Sequence, residues 1–330
     1  MALPSQTLEQ DTMNFLQACG LRVHRPNSRQ YTAVVPSLPE LRVVFQRAAD
    51  IYANVQQNTV DFGITGLDML SEMRQDGDDI VIVIPELGYG KCGLELAIPQ
   101  SWVDVVTVAD MAELASQMKS SGRELRIATK FPNLTTQYLH SKGIHYFSIV
   151  QGAGAMESFP SRGFADIISD IVETGTTLKE NRLKLLNDAT ILKSQACMIA
   201  NRKVLLRDKE KLEVVRTVLE FIEAHRRAEP HYQVTAHLRG SSPEHVARHI
   251  YAHSDMVELE GPIVSKVYGR RGEDDMYAVT VLVNSKALLK AVDHLRKAGG
   301  IGVAAVPTEY IFIDKCRTYE ALLELLKREP

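Results

Sequence analysis

Asp166-Ile-Ile-Ser-Asp-Ile-Val-Glu-Thr-Gly-Thr-Thr-Leu-Lys-Glu-Asn181 is the stretch on which the fold turns. An apolar, β-branched run carrying two acids, Asp166 and Asp170, passes straight into Thr174-Gly175-Thr176-Thr177. A helix-forming run from Leu178 to Leu186 follows. Strand, small-residue turn and helix in immediate succession form the repeating unit of an α/β architecture. Such a turn leaves several backbone N–H groups unpaired at the positive end of the helix, where three threonine hydroxyls add donors. That is the chemistry of a phosphate cradle. This stretch is neither a Gly-Lys-Ser/Thr loop nor a Gly-x-Gly-x-x-Gly, the marks of nucleoside-triphosphate and dinucleotide folds. Acids before the loop suit sugar hydroxyls or a magnesium shell, and the loop suits a monophosphate, so the ligand indicated is a phosphorylated ribose. Thr-Gly-Thr is equally an ordinary helix N-cap turn, and the segment alone does not separate the two readings.

The same grammar recurs upstream. Val60-Asp-Phe-Gly-Ile-Thr-Gly-Leu-Asp-Met-Leu70 is a second strand-to-helix junction. Leu87-Gly-Tyr-Gly-Lys-Cys92 is a glycine-rich turn between two apolar strands. Arg126-Ile-Ala-Thr-Lys-Phe-Pro-Asn-Leu134 is a third junction, with Pro132 at the first helical position. Strands near 31–35, 41–46, 60–64, 80–85, 93–98, 125–129, 146–150 and 165–172 alternate with helices. This pattern predicts largely parallel sheets covered by helices. Ile80–Ile84 is continuously apolar, as a strand buried on both faces requires. The organisation expected is one lobe from 1–98 plus 190–227, and a second from 99–189 inserted into it. Thr190–Ala200 would be the strand that crosses back.

Arg226-Arg-Ala-Glu-Pro-His231 reads as a linker. Beyond it come strand 233–238, helix Pro243–Ala252, strand 264–268, a polar turn through Arg270–Asp275, strand 276–283, helix 286–297 and strand 301–306. This β-α-β-β-α-β order over 231–330 is the ferredoxin-like unit.

The chain has 330 residues, more than one hydrophobic core usually serves, so several domains are expected. A net charge of −3 without a basic run gives no nucleic-acid footprint. The four cysteines, Cys19, Cys92, Cys197 and Cys316, are scattered without paired spacing, which suits reduced thiols and neither zinc nor a disulfide framework. No apolar run reaches the roughly 20 residues of a membrane span. Met1–Gln6 lacks a basic flank and apolar core, so a cytoplasmic location is the expectation. His245, His249 and His253 fall on one helix face and read as a surface stripe.

The three junctions and the glycine-rich turn, in this order ahead of Thr174–Thr177, resemble ATP phosphoribosyltransferase, the first enzyme of histidine biosynthesis. The likeness covers nearly the whole chain, and the last hundred residues resemble the regulatory domain of the long form. The resemblance implies a two-lobe core like the type II periplasmic binding proteins, plus an ACT-like C-terminal domain. It implies that N1 of ATP attacks the anomeric carbon of phosphoribosyl pyrophosphate and pyrophosphate leaves, with Mg2+ carried by the substrate and no metal ligands from the protein. By the same resemblance Thr174, Gly175, Thr176 and Thr177 hold the 5′-phosphate, Asp170 faces the ribose hydroxyls, and Gly152, Gly154 and Glu157 approach the pyrophosphate. Thr65, Gly66, Asp68, Arg47 and Lys91 serve the nucleotide or pyrophosphate. L-histidine is the implied inhibitor, with Ser265 in Gly261-Pro-Ile-Val-Ser265 and Gly300 as effector residues. Dimers assembling into hexamers are implied.

One departure stands out. The family opens with Leu-Pro followed closely by Lys-Gly-Arg, whereas this chain has Leu3-Pro4-Ser5-Gln6-Thr7-Leu8, without either cation or the glycine. Gly93 also stands where an arginine is common. Either Lys91, Arg47 or Lys130 compensates, or the chain is a catalytically weak relative that binds ligands or regulates a partner.

Overall fold

The computed structural model describes residues 1–27, 29–75, 77–152, 154–251, 261–268 and 275–328. Ala252, His253 and positions 270–274 of the polar turn lie outside the described residues. The chain divides into two compact units, one of Met1–Gln17, Arg22–Val214 and Leu322 onward, the other of Ala18–Leu21 and Val215–Ala321.

The first unit holds two lobes. One is built from β1 (Ala2–Pro4), α1 (Glu9–Ala18), β2 (Thr32–Val34), β3 (Arg42–Gln46), α2 (Ala48–Gln56), β4 (Phe62–Gly66), α3 (Leu67–Met73) and β5 (Ile80–Ile84). The other comprises β6 (Cys92–Pro99), α4 (Val108–Ser120), β7 (Leu125–Thr129), α5 (Pro132–Ser141), β8 (Phe147–Gln151), β9 (Ile167–Val172), α6 (Thr176–Glu180) and β10 (Leu183–Ser194). The chain then re-enters the first sheet as β11 (Ala196–Asn201), followed by α7 (Arg202–Arg207) and α8 (Lys209–Ala228). The sheets are ordered β2-β3-β1-β4-β11-β5 and β10-β6-β9-β7-β8.

The sheets are mixed, not largely parallel. Among the described residues only β1 with β3 and β4, and β7 with β8 and β9, run parallel. Strands β6, β10 and β11 carry the chain between the lobes; β6 runs against β9 and β11 against β4, whose ends open on the cleft, and β10 runs against β6. Thr190–Ala200 is likewise two strands in two sheets, parted by Gln195 alone. Gln195 accepts from the Leu67 N–H with its carbonyl and from the Gly88 N–H, at 2.9 Å, with its side chain.

The helix expected over Leu178–Leu186 stops at Glu180. Arg182 takes a left-handed φ of 58° and Leu183 begins β10, paired with Pro99 of β6. Leu-Lys-Leu-Leu has good helix propensity, but pairing with a neighbouring strand overrides it. Leu178 is nonetheless buried. It packs with Met156, Ile168 and Ala128 in a small core that seats both α6 and the Gly152–Glu157 segment. The larger core of the second lobe gathers Leu96, Met111, Leu125, Ile127 and Leu139. That of the first gathers Ile51, Val55, Leu70, Ile80 and Ile199.

In the second unit β12 (His231–Arg239), α9 (Pro243–Tyr251), β13 (Ile263–Lys266), β14 (Met276–Asn284), α10 (Leu288–Lys297) and β15 (Ile301–Pro307) follow in the β-α-β-β-α-β order. Their antiparallel sheet has the order β13-β14-β12-β15, the ferredoxin-like arrangement. Val234, Ala236, Val279 and Val281 face the apolar sides of α9 and α10. Because α8 reaches Ala228, the connection to β12 is only Glu229 and Pro230, shorter than the linker expected. A last helix, α11 (Arg317–Lys327), follows; its buried Leu322 and Leu326 belong to the first unit.

Candidate active site

Between the two lobes lies a cavity of about 320 Å3. One wall is the β4-to-α3 junction. Thr65 is fully buried there, its hydroxyl donating to the Ala48 carbonyl at 3.0 Å. It packs the junction and does not reach the cavity. Gly66 is the N-cap of α3, and a Cβ there would run into the Asp68 carboxylate. Asp68 is held from β10, since Ser194 Oγ accepts from the Asp68 N–H at 2.9 Å and donates to Asp68 Oδ1 at 3.0 Å.

The facing wall comes from the ends of β7 and β9. Lys130, Phe131, Asp170, Ile171 and Glu173 line it, with Arg47 reaching in from the start of α2. Burial pushes the Asp170 carboxyl above its ordinary pKa. A hydrogen bond from the Ile171 N–H, 2.9 Å from Asp170 Oδ1, and the charge of Lys130 oppose this, and the Glu157 carboxylate adds to it. Asp166, four residues earlier, turns away from the cleft. It takes the Arg126 guanidinium at 3.0 Å and the Arg126 backbone N–H at 2.9 Å, and these hydrogen bonds overcome burial and hold its pKa down. Residues four apart share one face of a strand, so alternation does not part the two acids; they are parted along the chain, Asp166 lying just before β9 and Asp170 nearer its cleft end.

The Ser5–Leu8 loop also lines the cavity. Gln6 has a φ of 70°, the left-handed conformation a glycine adopts freely, and its N–H donates to Glu9. The loop therefore keeps a glycine-like backbone under a side chain that is not glycine.

Of the residues singled out from sequence, Asp170, Gly66, Asp68 and Arg47 come together around this cavity. Lys91 is passed over between Gly90 and Cys92, which do line it. Thr174–Thr177 continue directly from Glu173 as an exposed loop: Gly175 has a φ of 73° and caps α6, which has no side-chain cap. The Thr174 and Thr176 hydroxyls lie 3.1 Å apart. Gly152 leaves room for Met156, whose Cγ a Cβ would meet at 2.6 Å. Gly154 has a φ of 148°, and Glu157 lies in the 3-10 turn Met156–Ser158. Lys130, named from sequence only as one of three compensating cations, lines the cavity, as do Glu173 and Ser194, which the sequence does not mark. For Lys130 the signal was its place in the Arg126–Leu134 junction, just ahead of the helix.

Ser265 lies on β13, paired with Ala278. Gly299, with φ 87°, ends α10, and a Cβ on Gly300 would strike the Leu295 carbonyl, so both are required by the turn itself. No group of three or more potential metal ligands occurs among the described residues, and no helix there is long and apolar enough to cross a membrane.

This geometry has counterparts. The chain is 37% identical over 331 residues to ATP phosphoribosyltransferase 2, chloroplastic, of Arabidopsis thaliana, covering 99% of this chain and 80% of that one. It is 36% identical to an ATP phosphoribosyltransferase of Bradyrhizobium sp., covering 73% of this chain and 74% of the other. Among solved structures it matches the HisG:HisZ ATP phosphoribosyl transferase complex of Thermotoga maritima, at 27% identity and a TM-score of 0.50 over 67% of this chain and 96% of that one. The family model described as ATP phosphoribosyltransferase matches residues 47–222, a span that runs from Arg47 through the cavity walls and the Thr174–Thr177 loop. A chain that shares both the cleft-forming segments and near full-length similarity belongs to the ATP phosphoribosyltransferase family.

Proposed function

We infer that the protein transfers the 5-phosphoribosyl group of phosphoribosyl pyrophosphate to N1 of ATP, the first step of L-histidine biosynthesis. The observation that carries this reading is the interlobe cleft, where Arg47, Asp68, Lys130 and Asp170 converge beside the Thr174–Thr177 loop in a chain of this family. The N1–C1′ bond forms as the C1′–O bond to pyrophosphate breaks, and the substrate nitrogen is itself the nucleophile. The protein's task is therefore orientation and charge compensation.

In this reading the amides and hydroxyls of Thr174–Thr177 hold the 5′-phosphate and Asp170 accepts hydrogen bonds from the ribose hydroxyls. Arg47 and Lys130 attract the pyrophosphate and triphosphate oxygens, with Gly66 and Asp68 shaping the nucleotide side, Thr65 packing the junction behind them and Lys91 standing between the lining residues Gly90 and Cys92. Gly152, Gly154 and Glu157 border the pyrophosphate. Asp68, Asp170 and Glu173 outnumber the lining cations, a balance that suits Mg2+ carried in on the substrate's own phosphates. Mg2+ bound there supplies neutralisation of the leaving pyrophosphate. The reading goes with a cytoplasmic enzyme.

The ferredoxin-like sheet supports two further roles. Helices α9 and α10 cover one face. On the other, Ile263 pairs with Thr280 of β14, and Val306 with Gln233 of β12; Ile263 and Val306 are 66% and 60% exposed. The apolar positions Ile263 and Val306 on that face suit self-association into dimers and hexamers, and L-histidine as an inhibitor would act through β13, where Ser265 lies, and the turn at Gly300.

Incubation of ATP with phosphoribosyl pyrophosphate and magnesium tests the reading. Release of pyrophosphate with formation of the N1-ribosylated nucleotide supports it. Ligand binding without turnover would instead make the chain a weak relative, as the Ser5–Leu8 departure suggests.

A further inference from the structure

We propose that Glu72 is a positioning residue whose carboxylate, reaching from one lobe to the other, fixes Lys130 and Asp170 in the cleft. The proposal rests on reading that cleft as the phosphoribosyl pyrophosphate site. Glu72 lies on α3 of the first lobe and is only 6% exposed. Its Oε1 accepts from the Asn133 N–H at 2.8 Å and its Oε2 from the Leu134 N–H at 3.0 Å, both in the first turn of α5 in the second lobe. The Asn133 side-chain amide returns a hydrogen bond to the Glu72 carbonyl at 3.0 Å.

Helix α5 has no cap of its own, because its N-cap is Phe131 and Pro132 lacks an N–H. Helix α4 shows the usual local solution, with Thr107 and Asp110 satisfying each other's backbone. In α5 the carboxylate comes from 61 residues away. The positive end of the helix is thus occupied by protein charge, and the two lobes are joined by three hydrogen bonds beside the cleft.

Behind that turn a chain of hydroxyls runs to the cleft residues. Thr129 Oγ1 accepts from the Phe131 N–H at 2.9 Å and lies 3.4 Å from Thr135 Oγ1, which lies 2.9 Å from Ser169 Oγ. Thr129, Thr135 and Ser169 are fully buried. Lys130 sits between Thr129 and Phe131, and Asp170 follows Ser169. Both charged cleft residues are therefore flanked by members of one buried polar network, whose arrangement is restrained as a unit. The outer restraint on that network is Glu72, so the spacing of Lys130 and Asp170 is set by the protein before substrate arrives.

The test compares full-length Glu72→Gln, Glu72→Ala and Glu72→Asp with Asp110→Asn, which weakens a helix cap remote from the cleft. Hydrogen exchange over 129–136, phosphoribosyl pyrophosphate binding by calorimetry, and kcat and KM for each substrate are measured. Glu72→Gln should speed exchange in that segment and lower kcat/KM for phosphoribosyl pyrophosphate about tenfold or more, with Glu72→Asp intermediate. Asp110→Asn should lower the Tm without either change. If Glu72→Ala fails to fold, Glu72→Gln, equal in size, still decides. A Glu72→Gln protein that loses Tm as Asp110→Asn does, yet keeps wild-type exchange, kcat and KM, overturns the proposal. If the wild type binds no phosphoribosyl pyrophosphate, the reading of the cleft fails, and unchanged exchange in Glu72→Gln would separately refute the clamp.

Discussion

Restoring the missing cations at the N-terminal loop is the most informative perturbation. Ser5, Gln6 and Thr7 line the cavity, whose cationic lining is otherwise Arg47 and Lys130. The replacement Ser5→Lys, Gln6→Gly, Thr7→Arg needs no backbone shift, because Gln6 already has a φ of 70°. Relief of a left-handed non-glycine residue is worth about 1 kcal/mol, which the extra unfolded-state freedom of glycine roughly cancels, so the Tm should hold. A unit charge about 6 Å from a phosphate oxygen contributes roughly 0.7 kcal/mol in bulk water and about 3 kcal/mol at an effective dielectric of 20. In a cleft partly open to solvent, roughly 1–2 kcal/mol per cation follows. Two cations together should lower the KM for a phosphorylated substrate by about thirtyfold or more. Steady-state kinetics at low and high salt is the assay, since a screened Coulombic gain shrinks near 1 M salt. An unchanged KM at low salt, or a gain that salt does not weaken, would refute the reasoning and show that Arg47 and Lys130 already suffice.

Other outcomes follow from the same geometry. Gly175→Val forces a β-branched residue to a φ of 73°, and with Thr177→Val it should weaken phosphoribosyl pyrophosphate binding by about tenfold while sparing ATP; equal losses in calorimetry would contradict the cradle. Asp170→Asn should abolish most turnover yet raise the Tm at neutral pH, because burial lifts the Asp170 pKa and its ionised form costs stability as pH rises through the carboxylate range. Partial burial would also raise Glu223, but hydrogen bonds from the Thr318 N–H and hydroxyl, the Cys316 thiol and the Arg317 N–H hold it near about 2. The second unit should therefore keep this stabilisation, about 3 kcal/mol, above the ordinary carboxylate pKa and lose it as pH falls toward 2, a slope that Glu223→Gln removes in acid titration. L-histidine titrated against the full chain should give saturable heat and inhibition with a coupling of about 1–3 kcal/mol; silence in both would remove the effector role.

What the sequence disclosed was local. A β-branched run ending in Thr-Gly-Thr-Thr, or Pro132 opening a helix, is readable because the turn chemistry and the periodicity sit within a few residues. Leu183–Leu186 misleads for the opposite reason: its residues favour a helix, and only β6, far back in the chain, makes it a strand. Lys130 resembles a solvated lysine until Asp170 is brought beside it. Glu72 resembles any helical glutamate, since nothing near it in sequence announces α5 as its partner. The left-handed φ of Gln6 is invisible in a residue type that seldom adopts it.

The single residue between β10 and β11 has a kinematic consequence. Gln195 ties the return strand to α3 through its carbonyl and to the outgoing turn at Gly88 through its side chain. The two crossings are thereby pinned side by side, with no slack for one lobe to slide past the other. What remains is a swing about the line joining the pins, as a door turns on its hinges. Glu72, on the same helix as Leu67, bonds across to α5, so such a swing would have to stretch its two hydrogen bonds to the Asn133 and Leu134 N–H groups.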